Sequence, residues 1–400
     1  MHNLTKIKIF RVLLRITYPF ALVFLYPFAV LKKRNPSGLF FFLDRYSIGG
    51  AQRIHIDILH ATEEQYKKVY FTRFSPNDKM KAAFEGIPNT DVSDIHTWCD
   101  NLLFRLFSVH FYAFYLNRHK SIKVLGSNST FFYDVLPFLA SHVHKIELLH
   151  NFTFGKRGME FFGLANHPYL DTRIVYDSFT LLNIKKQYAE FKIDPLYLDK
   201  IAFIEPGVDI PARLTKEYSS PVKVLYAGRG GPQKRIHLIN KIAQRCTSGN
   251  LPVEFHFAGT MTAELSDTVK EHAIIHGEVS NKADMDNLYQ SAHIILLTSA
   301  YEGFPMVIKE GMAFGCVPVV TALPGNLMHL QTGQNALLIE AIEDEEEVVR
   351  SGTALIGKLA GDPVLLQKLS AQAYEYASQK FTKSIFIKEY RKLLAGLGQG

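Results

Sequence analysis

Short apolar runs alternate with amphipathic stretches along most of the chain. In the first half, residues 39–43, 68–72, 123–125, 145–149, 173–176 and 201–204 read as strands. In the second half the runs are 222–227, 253–258, 273–276, 294–298, 317–320 and 336–339. Their hydrophobicity is nearly continuous rather than alternating, the mark of parallel sheets covered on both faces. Two such sets in tandem predict an α/β chain with two doubly wound, Rossmann-like domains. The polar stretch 216–221 ends in proline and places a hinge near residues 210–221. A last helix is expected over about residues 383–395.

One segment departs from this rhythm. Residues 16–31, ITYPFALVFLYPFAVL, carry no formal charge; Lys6, Lys8, Arg11 and Arg15 precede them and Lys32, Lys33 and Arg34 follow. A spanning helix needs about 20 apolar residues, and Pro19 and Pro27 would each disturb one. A basic cluster also stands where a signal peptide would have its small-residue cleavage site. The reading favoured is a membrane-associating segment lying on an anionic face. A helix packed on the protein and a true span are the two others.

Composition sharpens the picture. At 400 residues and 45.4 kDa the chain exceeds what one core usually organises. Hydrophobic residues at 47% and charged ones at 21% make it globular. The three cysteines, Cys99, Cys246 and Cys316, are too scattered for a disulfide scaffold or a structural zinc site. The net charge of +7 equals the seven basic residues of segment 1–37, which has no acid. The remainder is formally neutral, so nucleic acid is not an expected partner. The expected domains are 1–37, the membrane-associating segment; 38–215, a first Rossmann-like domain; 216–382, a second; and 383–400, a C-terminal helix crossing back to the first domain.

Three loops carry the chemistry, each just past an expected strand. Gly49 and Gly50 sit at a strand-to-helix turn, where a ligand can approach bare backbone. Arg229 and Lys234 flank a second tight turn; the arginine offers a fork for two oxygens, the lysine a point charge. The third is SAYEGFPMVIKEGMA. Pro305 suits the first position of a helix, leaving the amides of Met306 and Val307 free for a phosphate. Glu302 before that helix and Glu310 within it would accept hydrogen bonds from hydroxyls on either side of the anion.

These residues resemble the retaining, nucleotide-sugar-dependent glycosyltransferases of family 4, which have the two-Rossmann GT-B fold. Glu302 and Glu310 form the E-x7-E element, and Gly228, Arg229 and Lys234 the G-R-x4-K element. Residues 49–52 (GGAQ), 204–209 (IEPGVD) and 276–280 (HGEVS) match further family positions. The resemblance spans about residues 38–395 and is most specific in the C-terminal half. Arg235 and Gly311 depart from the pattern, standing for a usual glycine and a common alanine. Arg235 either adds a phosphate contact or points to solvent.

The resemblance implies an acceptor domain over 38–215 and a donor domain over 216–382, facing a cleft that grips the pyrophosphate of an activated sugar. Arg229 and Lys234 would neutralise the diphosphate, and Glu310 would hold the ribose. Glu302 would contact the donor sugar with the backbone around Gly303, Phe304 and Pro305. The Gly49–Gly50 turn would approach the phosphates, and His150 would lie near the reacting sugar. No protein nucleophile is implied. Asp284 and Asp286 spell a D-x-D, but they read as acids in the first turns of a helix capped by Ser280. No cofactor and no essential metal are therefore expected. The implied reaction passes a sugar to a glycan or lipid-linked acceptor, as in bacterial surface polysaccharide or lipopolysaccharide synthesis. It would take place in the cytoplasm, on the inner face of the plasma membrane. A non-catalytic partner subunit and a nucleotide-sugar epimerase on the same fold are the alternatives.

Overall fold

The computed structural model describes residues 2–34, 38–47, 50–150, 152, 158–212 and 216–395. Two compact units divide the chain: Met1–Glu205 with Phe386–Gly400, and Pro206–Ile385.

The first unit holds a parallel sheet in the order β3-β2-β1-β4-β5-β6-β7. Its strands are β1 (Leu39–Leu43), β2 (Lys67–Phe71), β3 (Thr90–Asp94), β4 (Ile122–Ser127), β5 (Val143–Leu149), β6 (Thr172–Val175) and β7 (Ile201–Phe203). The five residues of β1 are all buried because both of its faces are covered. Phe40 and Phe42 pack with Tyr70, Tyr112 and Phe131. Leu39, Phe41 and Leu43 pack with Ile58, Leu59 and Tyr390. The apolar pattern missed β3 altogether. TDVSD is polar and only partly buried, and as the edge strand it pairs with β2 alone.

Five helices of this unit matter below: α1 (His2–Phe24), α2 (Tyr26–Leu31), α3 (Gly50–His60), α4 (Leu102–Asn117) and α5 (Met159–Asn166). Residues 16–31 thus form the end of α1 and all of α2. Pro19 lies inside α1, while Pro27 sits in the first turn of α2, where its missing N–H is harmless. Leu14, Ala21 and Ala29 are buried in one cluster with Val109, Ala113 and Phe114 of α4. Arg11 Nη2 donates to Asn166 Oδ1 on α5 at 2.8 Å. One stripe of the N-terminal pair therefore packs on the protein itself. No helix among the described residues is long and apolar enough to cross a membrane.

The second unit repeats the design, with strand order β10-β9-β8-β11-β12-β13. Here the strands are β8 (Val222–Gly228), β9 (Val253–Gly259), β10 (Ile274–Gly277), β11 (Ile294–Leu297), β12 (Val317–Thr321) and β13 (Leu337–Ile339). Helices α6 (Ile236–Ser248), α7 (Lys282–Ser291), α8 (Met306–Ala313) and α9 (Glu345–Gly361) belong to it. Helix α10 (Lys383–Ala395) begins here, and from Phe386 onward it counts with the first unit. Gly311 has a physical reason: a Cβ there would lie 2.5 Å from Ile295 Cγ1, so its absence lets α8 rest against β11. In each sheet the strand order reverses once, between β1 and β4 and between β8 and β11. Open α/β sheets bind ligands beyond the carboxyl ends of the strands at that reversal.

Candidate active site

In the second unit the loops beyond β8 and β11 flank the reversal point, and hydrogen bonds knit them together. Ala300 N donates to Gln233 O at 2.8 Å, and Gln233 Nε2 donates to Tyr301 O at 2.9 Å. Thr298 Oγ1 donates to the carbonyls of Lys234 and Arg235, both at 3.2 Å. Arg235 completes the clamp. Its guanidinium donates to Thr298 O at 2.6 Å, Ser299 O at 3.1 Å and Ile342 O at 2.8 Å. This corrects both sequence expectations for Arg235, which is buried, contacts carbonyls and fixes the loops. It is also the residue before α6, in the left-handed conformation with φ +50°. Glycine adopts that conformation readily, which accounts for the glycine usual in the resembling family.

Two predicted residues meet as a result. Lys234 Nζ lies 2.5 Å from Glu302 Oε1, with both side chains largely buried. Glu310 lies in α8, and its Oε2 accepts from Tyr289 Oη at 2.6 Å. Tyr289, on α7, is 2% exposed. Sequence reasoning missed it because only tertiary contact links it to Glu310.

Pro305 turns out to be the N-cap of α8 rather than its first residue, with φ −60° and ψ 134°. Met306 and Val307 follow as the first two helical positions, with no side chain capping the turn. Their amides therefore stand at the positive end of the helix dipole. Gly303 is held by close approach: a Cβ on Gly325 would come within 1.5 Å of Gly303 O. The Phe304 ring packs 4.5 Å from His329 and 5.4 Å from Phe381 between centroids.

Arg229 is exposed, and no described side chain pairs with it. Its carbonyl accepts from Tyr226 Oη at 2.5 Å. Burial, with Glu302 and Glu264 nearby, raises the Tyr226 pKa and keeps that hydroxyl protonated. His276, at the start of HGEVS and within β10, stacks on His256, with Nε2 3.0 Å from His256 Nδ1. Asp284 and Asp286 lie in the early turns of α7, where Asp286 pairs with Lys282. The cap of that helix is Asn281 and not Ser280; its side chain accepts from Ala283 N at 2.9 Å. Among the described residues no cluster of His, Cys, Asp and Glu is arranged to hold a metal ion.

The remaining predicted residues belong to the first unit. Gly49 lies outside the described residues. Gly50 opens α3, is exposed, and has open space where a Cβ would project. His150 follows β5 and is 2% exposed. Its Nε2 lies 2.9 Å from Nε2 of His55, and its Nδ1 3.2 Å from Tyr176 Oη. His55, which the sequence did not single out, also reaches Ser127 Oγ at 2.8 Å. Burial lowers the pKa of His150 to about 3, and burial with His150 beside it drives His55 well below its usual value. Both rings are therefore neutral at pH 7.

Cation, helix-terminal amides and flanking carboxylates suit an anionic ligand bearing hydroxyls on both sides. With the two sheets, they define an α/β protein of the GT-B type, two Rossmann-like domains in tandem. Residues 221–357 match the family described as Glycosyl transferases group 1. The chain is also similar to the GtfA subunit of UDP-N-acetylglucosamine–peptide N-acetylglucosaminyltransferase from Streptococcus pneumoniae, 23% identical over 211 residues. That match spans 51% of this chain and 41% of the relative. Among solved structures, Anabaena HepE in complex with UDP and glucose aligns with a TM-score of 0.69 at 16% identity, covering 90% of this chain and all of that one. The pneumococcal O-GlcNAc transferase GtfA in complex with UDP and GlcNAc aligns at 0.59 and 18% identity, covering 72% and 60%. At these identities the likeness is one of fold.

Proposed function

We propose that the chain is a retaining, metal-independent glycosyltransferase that moves a sugar from a nucleotide-diphosphate sugar to a glycan or lipid-linked acceptor. The observation that carries this reading is the contact of Lys234 with Glu302 before α8, with Glu310 inside that helix. Breaking a glycosyl–diphosphate bond leaves negative charge on the departing phosphate. Lys234, Arg229 and the Met306 and Val307 amides stabilise it, and electrostatic preorganisation is the main source of rate. Glu302 positions the sugar hydroxyls and Glu310 the ribose. The acceptor attacks the face the phosphate leaves, and the departing phosphate takes the acceptor proton.

The N-terminal pair supports peripheral attachment to the inner face of a membrane. Its outer stripe leaves Phe20, Phe24 and Leu31 63%, 67% and 81% exposed, and Trp98 just before α4 and Leu103 in its first turn are exposed as well. Such apolar surface among basic side chains suits an anionic interface. Bacterial surface polysaccharide or lipopolysaccharide synthesis, where acceptors are membrane-held, is the setting we favour.

A hydrolysis screen across UDP-, GDP- and ADP-sugars tests the central claim. Turnover of one donor that survives chelator and disappears in Lys234→Ala is the expected result. Folded protein inert toward all three would favour a non-catalytic partner subunit instead.

A further inference from the structure

A cavity of about 520 Å³ in the first unit serves none of the residues assigned above. Its walls include Lys32, Lys33 and Arg34, which follow α2, Lys68 of β2, and Tyr112 and Tyr115 of α4. That volume falls in the range of small-molecule sites, roughly 300–1,000 Å³.

Two of the three basic residues are held in place through their backbone carbonyls. Lys32 O accepts from Arg118 Nη1 at 3.0 Å, and Lys33 O accepts from Tyr115 Oη at 3.4 Å. Lys32 Nζ stands 5.0 Å from the centre of the Tyr115 ring. The two carboxylates facing the cavity are already engaged. Asp91 pairs with Lys68 at 2.7 Å, while Asp94 accepts from Tyr46 Oη and from His96 N, each at 3.0 Å. No described carboxylate pairs with Lys32, Lys33 or Arg34. Burial and the neighbouring Lys68 charge pull Lys32 below the usual lysine range, and Asp91 only partly opposes them, so a bound anion would relieve the remaining penalty.

The neighbourhood narrows the class of anion. Leu31, 81% exposed, immediately precedes the basic triad, and Phe28 is 66% exposed. An apolar tip joined to a basic, tyrosine-lined cavity matches a ligand with a phosphate at one end and hydrocarbon at the other. We propose that this cavity binds the phosphate-bearing head group of an anionic membrane lipid. The proposal rests on the membrane reading of α1 and α2 and turns a diffuse attraction into a built site. The tyrosine rings and Lys32 enclose the head group, and Lys33 and Arg34 neutralise its phosphate.

The test uses the full chain and two double variants of equal charge. Lys33→Gln with Arg34→Gln alters the cavity; Lys6→Gln with Lys8→Gln removes two exposed charges from α1. Sedimentation with phosphatidylcholine vesicles, with and without phosphatidylglycerol, gives vesicle affinity. Titration with glycerol 3-phosphate and with inorganic phosphate gives head-group affinity, and circular dichroism verifies folding. A diffuse basic surface would lose similar vesicle affinity in both variants, roughly thirtyfold. A built site loses at least about tenfold more in the cavity variant, which alone abolishes saturable glycerol 3-phosphate binding. Equal losses, or inorganic phosphate binding as tightly as glycerol 3-phosphate, would overturn the site while leaving membrane attachment standing. A wild-type chain that ignores phosphatidylglycerol vesicles would instead overturn the membrane reading itself.

Discussion

Lys234 Nζ and Glu302 Oε1 lie 2.5 Å apart although 68 residues separate them in the chain. In the proposed reaction a diphosphate competes with Glu302 for that ammonium and frees the carboxylate for the sugar. Lys234→Ala is expected to lower kcat/KM by about a hundred- to a thousandfold, the usual cost of losing one preorganised charge. Glu302→Gln should keep nucleoside diphosphate affinity within a few-fold while kcat falls. Steady-state kinetics beside calorimetric titration separates the two effects.

Glu310 has a protein partner, Tyr289, whose hydroxyl holds one carboxylate oxygen. Glu310→Ala should weaken nucleotide binding by about tenfold or more, as expected for lost hydrogen bonds to a charged group. Tyr289→Phe leaves the carboxylate in place but unanchored, so a smaller loss is expected. Titration calorimetry with nucleoside diphosphates ranks the two.

Arg235 combines a left-handed backbone with three carbonyl contacts. Arg235→Ala loses the contacts and keeps the strained conformation. Arg235→Gly loses the same contacts and relieves it, by roughly 1 kcal/mol. The glycine variant should therefore melt higher than the alanine variant, and both below the parent. Calorimetric scans of the three proteins decide the order.

A buried ion pair crosses β5 and β6: Arg173 Nε lies 2.7 Å from Glu147 Oε2, with side chains 2% and 0% exposed. Arg173→Met would strand the Glu147 charge at a cost of about 3–5 kcal/mol. Urea unfolding followed by circular dichroism should show the midpoint falling accordingly.

Acid should loosen the first unit. His55 and His150 stay neutral in the fold, whereas in an unfolded chain each titrates near 6.5. As pH falls below that value the unfolded state takes up protons first. Stability is therefore complete above about 6.5 and drains toward pH 3, by on the order of 1 kcal/mol per histidine per pH unit. Urea midpoints between pH 7.5 and 5.5 should fall, with a shallower slope in His150→Gln.

How legible the molecule was depended on what kind of information each part uses. Strands such as β8 and β11 are continuous apolar runs, and the loops after them carry local motifs, so Lys234, Glu302 and Glu310 stand out in the sequence itself. β3 did not, because an edge strand needs no apolar face. Tyr289 and His55 act through contacts remote in sequence, and no spacing rule reaches them. The charge of Arg235 suggests an anion, whereas its backbone conformation and the carbonyls around it, neither visible in sequence, set its role.

The docking of α1 and α2 on α4 has a practical consequence for handling this protein. Cutting away the first 34 residues to improve solubility would uncover Val109, Ala113 and Phe114, exchanging one sticky surface for another. Polar replacements on the outward stripe, at Phe20 and Phe24, leave that internal seam closed and are the cleaner route to a well-behaved preparation.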